Sequence, residues 1–229
     1  MWYLISKPGF LSEEQLRGRR IRYAKPLSLF ISINVVYYLS IAVFGANTFT
    51  TPLSVQLHQN NYYPNFASKQ VESRLQVSKI SYTSFETKYN EKASVLSKTL
   101  IFLFIPIYAL IFYGMFFTRR RYFVEHLVVA THLWSFILLL LAVAVPAIAA
   151  TFMWWSNAPH LAAVLAANDN AISVFLQITI AVYLALMLRR VYAASYWCCI
   201  TVAALIALSF FHIVWLYRFL LFVITLHSL

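Results

Sequence analysis

Long apolar runs alternate with short basic or polar breaks along this chain, and the breaks divide it into five segments of membrane-spanning length. A helix needs about 20 predominantly apolar residues to cross a hydrocarbon core roughly 30 Å thick. The runs predict spans over residues 27–48, 95–117, 123–155, 171–188 and 196–226. Pro26 suits the first helical position of the first span, where a missing N–H costs nothing. Pro106 and Pro146 fall inside the second and third spans and predict a bend in each. Trp154 and Trp155 read as an aromatic belt at one interface. Pro159 to Ala167 reads as a small interfacial helix, followed by Asn168, Asp169 and Asn170 as a cap for the fourth span. The fifth run exceeds one perpendicular crossing, so it either tilts or ends near Arg218 and leaves an interfacial tail.

Two segments depart from this pattern. Residues 1–26 carry a Pro8-Gly9 turn, then Ser12 and Gln15 at capping-box spacing, then Arg17, Arg19, Arg20 and Arg22. They predict a short basic helix on the cytoplasmic membrane surface. No apolar run suits a cleavable signal, so the first span is expected to act as its own insertion signal. Residues 49–94 form a hydrophilic excursion. Within it Val71, Leu75, Tyr82, Phe85, Tyr89 and Leu96 recur at helical steps, a narrow amphipathic stripe. With no Pro or Gly from Ala67 to Ile105, one continuous helix is expected to project outward and run into the second span.

Composition supports this reading. The 229 residues are 62% hydrophobic and 11% charged, with four glycines, against about 25% charged in soluble domains. Lipid demands that a span satisfy its own backbone, and the alternating ten-residue pattern of a barrel is missing, so the expected class is an all-α, polytopic membrane protein. Eleven Lys and Arg fall in residues 1–26, 119–121 and 189–190, on one side of a five-span topology. The prediction is a cytoplasmic N-terminus and an extracytoplasmic C-terminus in a bacterial inner membrane. The net charge of +11 then reflects orientation and anionic headgroups, and no nucleic-acid partner is expected. The adjacent Cys198 and Cys199 have no metal or redox spacing.

Three blocks carry a family resemblance: GRRIRYAKPLSLF at residues 18–30, RRRYFVEHLVVATHLWSF at 119–136 and VYLALMLRRVYAAS at 182–195. In order and spacing they resemble an uncharacterised bacterial integral-membrane family, domain of unknown function 3667. The resemblance implies the topology and marks residues, but it carries no reaction. Members often begin with a cysteine-rich zinc ribbon, which these residues do not contain, so the resemblance implies no zinc here.

Candidate chemistry gathers on the third span. Arg121 and Glu125 are four apart and Glu125 and His132 seven apart, so each pair shares a helical face, whereas His126 points elsewhere. His132 lies about 10 Å deeper than Glu125, too far for the two to bind one ion. Two readings stay open for this group: an ion pair with histidines bonding across helices, or a polar site for protons, a solute or a lipid headgroup. His132 and His212 lie toward opposite ends of the bundle and cannot sandwich a haem. Arg19, Arg20, Arg22 and Tyr23 are candidate contacts for lipid or phosphate, beside their simpler role as an orientation signal. No nucleophile elbow, P-loop or HExxH motif occurs. The expectation is a protein without catalytic residues, metal or cofactor. It contacts membrane lipids and packs as an accessory or scaffolding subunit with other membrane subunits or with its own copies. The alternative is a small-solute or lipid-headgroup transporter with a site around Glu125 and His132.

Overall fold

The computed structural model describes residues 1–19, 22–44, 49–58, 63–78, 80–156 and 169–229. Among these every regular element is helical, and five helices are long and apolar enough to cross a membrane: Pro26–Phe44, Tyr82–Met115, Phe123–Ile148, Ser173–Tyr192 and Tyr196–His227. The chain divides into two compact units. Unit 1 comprises Met1–Ala46 and Phe102–Phe211, and unit 2 comprises Asn47–Ile101 and His212–Leu229.

Unit 1 is built around the third span. Its N-terminal stretch α1, Phe123–Leu139, packs against both the first span α2, Pro26–Phe44, and helix α3, Phe104–Met115. The third span is 67% buried over its most apolar window, against 28% for the first and 33% for the fourth, so it is the most enclosed span of unit 1. Trp134, fully buried, stacks on Phe104 at 4.1 Å and meets Tyr108 edge-on at 5.3 Å. Phe136 stacks on Tyr183 of the fourth span at 3.6 Å. With no apolar driving force between helices in lipid, such close contacts are what hold spans together.

Both intramembrane prolines alter local helix geometry. Pro106 has no N–H for the carbonyl of Phe102, and a 3-10 turn at Ile101–Leu103 lies there. Pro146 cannot donate to the carbonyl of Ala142. The helix widens into a π turn over Leu140–Ala144, and Ser40 of the first span donates to the Ala142 oxygen at 2.7 Å. Freed carbonyls in lipid are commonly re-satisfied in these two ways. The third span then continues as α4, Val145–Ser156, where Trp154 is exposed. The side chain of Trp155 and the expected interfacial helix Pro159 to Ala167, with Asn168, lie outside the described residues. The fourth span follows as α5, Asp169–Tyr192, and ends where Ala193 takes a positive φ of 49°. The fifth, α6, Tyr196–His227, is one uninterrupted helix of 32 residues with no break at Arg218.

Unit 2 corrects the expected continuous helix from Ala67. Helix α7, Pro64–Ser78, stops, and α8, Tyr82–Leu100, starts afresh. Ser81 sits extended at φ −67°, ψ 149° and its hydroxyl accepts from the Ser84 amide, an N-cap that requires no Pro or Gly. The second half does run on into the second span, through the 3-10 turn. The stripe is not left bare. Val71, Phe85, Tyr89 and Ala93 bury against Leu53, Ala67, Phe222 and Leu226 in one apolar core. Helix α9, Leu53–His58, joins by its open end: Asn90 accepts from the Leu53 amide at 3.1 Å and Glu86 from the Ser54 amide at 3.2 Å. Two of the donors that a helix N-terminus leaves unpaired are satisfied from the neighbouring helix.

Ser40→Ala should lower stability to unfolding in mixed micelles by about 1 kcal/mol. In a Pro146→Ala background, where residue 146 regains its N–H, the same change should cost less than half as much. Equal costs in both backgrounds would show that Ser40 does not serve the proline's orphaned carbonyl.

Candidate functional site

The candidate residues separate into two clusters, both in unit 1. The first surrounds His132. The N-terminal segment folds as α10, Trp2–Ser6, and α11, Phe10–Leu16, and α11 packs on both the third and the fourth span. This corrects the expectation of a helix that carries the arginines. The helix ends at Leu16, before Arg17, Arg19 and Arg22, and Arg20 lies outside the described residues. Ser12 is also no cap. Gly9 occupies the N-cap position at φ +78°, and the Ser12 hydroxyl shares a hydrogen bond with His132 Nδ1 at 2.9 Å. Both side chains are buried, Ser12 at 0% and His132 at 3% exposure.

Charge and close approach fix the same segment. Glu14, buried, pairs with Arg19 at 3.2 Å, while Glu13 pairs with Arg17 at 2.6 Å and with Arg190 of the fourth span at 3.7 Å. Arg190 also donates to the Pro8 carbonyl at 3.1 Å. Buried or half-buried carboxylates persist only when paired in this way. Gly9 lies so near the fourth span that an added Cβ would sit 3.0 Å from the Met187 Cα and carbonyl oxygen. A side chain there would also have to hold the left-handed backbone that glycine takes freely.

The second cluster surrounds His126. Its Nδ1 shares a 2.6 Å hydrogen bond with the Tyr192 hydroxyl at the end of the fourth span. Tyr192 stacks on Phe116 at 4.1 Å with planes 5° apart. The Arg121 guanidinium lies 5.6 Å from the Tyr192 ring centre, donates to the Val191 carbonyl at 2.6 Å and pairs with Glu125 at 3.7 Å. The i,i+4 pair expected from spacing is therefore present, and it belongs to a larger clasp between the third and fourth spans. Glu125 and His132 do not converge: one faces Arg121, the other Ser12.

The chemistry open to this arrangement is limited. Ser12 and His132 are within the distance of a nucleophile and its base. Yet the space beside them, bordered by Leu4, Leu11 and Tyr183, does not admit even a water-sized sphere. Each histidine keeps a buried Nε2 without a hydrogen-bond partner among the described residues. Among the described residues no three His, Cys, Asp or Glu side chains come together as a metal site would need. Sequence reasoning missed Ser12, Glu13, Glu14 and Tyr192 as members of the clusters. The available signal was two acids and a serine following a Pro-Gly turn, placed ahead of a span that carries buried histidines.

These features define a multi-pass helical membrane protein whose third span is locked to an N-terminal wedge and to the fourth span. Residues 1–38, the wedge and most of the first span, match a family model described as "Protein of unknown function (DUF3667)". That match agrees with the resemblance read from residues 18–30, while the blocks at 119–136 and 182–195 lie beyond the matched range. Comparison with curated proteins and with solved structures gives no match.

If Ser12 and His132 form a structural clasp, the substitutions Ser12→Ala and His132→Phe should couple. Each alone should destabilise by about 1–3 kcal/mol, and the pair should cost less than the sum by roughly 1 kcal/mol. Ser12→Ala and Tyr192→Phe, which touch different clusters, should add. Additivity for the first pair, read from unfolding in mixed micelles, would break the clasp apart.

Proposed function

We propose that this protein is a non-catalytic component of a membrane assembly, an accessory or scaffolding subunit in a bacterial inner membrane. The observation that carries the reading is the engagement of the candidate polar side chains. Arg121, His126 and His132 each reach another segment of the same chain, and Glu125 pairs with Arg121, so they act as fasteners of the bundle. The outward faces of the spans supply the interaction surface. Leu39, Val124, Ile178, Val182 and Leu208 are all more than half exposed. Such faces suit lipid tails and the apolar surfaces of other membrane subunits or further copies of the chain. The amphipathic stripe of unit 2 is covered within that unit by Leu53, Phe222 and Leu226. The placement of Lys and Arg supports a cytoplasmic N-terminus and an extracytoplasmic C-terminus.

A second reading is a transporter for a small solute or lipid headgroup through a site at Glu125 and His132. It is favoured by the unpartnered Nε2 atoms of His126 and His132 and by the Glu125 side chain, which keeps 28% exposure.

Gentle extraction of the tagged protein at its native expression level, followed by native sizing, tests the first reading. A discrete assembly well above the mass of one chain is the expected result. A monodisperse monomer in both membranes and detergent would refute it. Glu125→Gln separates the two readings further. As a fastener, its loss should lower stability by under about 1 kcal/mol, given its partial exposure, and leave uptake of solute into proteoliposomes unchanged. Abolished uptake in a normally folded Glu125→Gln protein would favour the transporter.

A further inference from the structure

An open groove of about 460 Å³ runs beside the wedge, between the turn at Lys7 and Pro8 and the end of the fourth span at Leu186, Arg189 and Arg190. It shares Glu13 and Arg190 with the wedge contact but is lined by neither buried histidine. Its charge is lopsided. Lys7, Arg189 and Arg190 face one carboxylate, Glu13, which already pairs with Arg17 and Arg190.

The cations are also held in place. Arg190 is fixed by the Pro8 carbonyl and by Glu13. The Arg189 guanidinium lies over the Tyr196 ring at 3.1 Å. The Lys7 ammonium stands 5.6 Å and 5.7 Å from the rings of Tyr3 and Phe10. Aromatic faces position these two charges without neutralising them. The result is a preorganised set of donors around a space that fits a phosphate group, the anion for which forked guanidinium donors are best suited.

We propose that this groove binds the phosphate of an anionic phospholipid. Two neighbouring features choose lipid over free phosphate. Leu186, on the groove's rim, is 51% exposed on the outer face of a membrane span, where an acyl chain would lie. Trp2 and Ile5, at 75% and 53% exposure, project from the adjoining helix, as side chains anchored in the interfacial layer do. The headgroup lies against the basic turn while the tail follows the fourth span. This site differs from the run of arginines after Leu16, because its donors come from both ends of the matched wedge contact: the turn before α11 and the last turn of α5.

Native mass spectrometry of the full chain, released from nanodiscs of phosphatidylcholine mixed with phosphatidylglycerol, tests the assignment. The unaltered protein should retain phosphatidylglycerol in preference. Removing one headgroup contact by Lys7→Ser should lower that retention about 5-fold, and Lys7→Ser with Arg189→Gln about 25-fold. Lys7→Arg should keep it. Lys88→Ser, which removes an exposed cation from unit 2, should leave it unchanged. Unaltered retention in the Lys7→Ser variant, or an equal loss with Lys88→Ser, would overturn the proposal. So would displacement of the lipid by millimolar inorganic phosphate without any preference among lipids, which would assign the groove to the free ion. Should the double variant melt early, Lys7→Ser, an exposed change, decides alone.

Discussion

A polar atom inside the bilayer must find its partner in the protein, and the third span carries more such atoms than any neighbour can ignore. His126, Thr131, His132 and Ser135 are all buried on it. Thr131 and Ser135 donate to carbonyls one turn back on their own helix, at 2.6 and 2.7 Å. The two histidines instead each reach a different segment: His132 to Ser12 of the wedge, His126 to Tyr192 of the fourth span. The separation of six residues, about 240° around the helix, sends them to different sides. The arrangement of unit 1 follows from that divergence. Within unit 1 the span with the most buried polar side chains sits at the centre, and the segments that meet its histidines pack around it.

The same logic explains the wedge. An amphipathic turn with Glu13, Glu14 and several arginines would ordinarily rest in the headgroup layer. Here Ser12 is drawn inward by His132, and the two acids meet Arg17, Arg19 and Arg190. Gly9 permits the close pass by Met187. The basic side chains left over gather where the wedge meets the fourth span, so one packing event both closes the bundle and assembles a cationic groove. Surface ion pairs contribute little on their own. In partial burial they act mainly by forbidding alternatives, since an unpaired carboxylate there would be far more costly.

Much of the fold was legible in the run lengths of apolar residues. Those runs located five spans, and Pro106 and Pro146 marked the points where helical geometry changes. The form of the change at Pro146, a π turn with Ser40 reaching across, was not legible, because Ser40 lies 102 residues away in sequence. The break at Ser81 was not legible because no Pro or Gly marks it, and a serine cap opens a new helix without either. The partner of the Tyr and Phe stripe was missed for a similar reason: Phe222 and Leu226 sit in an apolar stretch that reads as membrane throughout, and nothing in the pattern sets them apart. Of the candidate site, the Arg121–Glu125 pair was visible in helical spacing. Ser12 looked like a cap because its spacing to Gln15 fits one, and only the three-dimensional path reveals the stronger claim of a buried histidine.

The central claim is that the N-terminal wedge is docked on the third span through Ser12 and His132. Distance measures it most directly. With Cys198 and Cys199 replaced by serine, thiols introduced as Ser12→Cys and His132→Cys can be treated, in native membranes, with mercuric ion, a two-coordinate bridge between paired thiols that is small enough for the space the imidazole vacates. Bridging should be rapid in the double variant and absent from either single one. If both thiols are present and titrate after denaturation, yet no bridge forms in the folded protein, the wedge is elsewhere and the bundle described here is wrong at its centre.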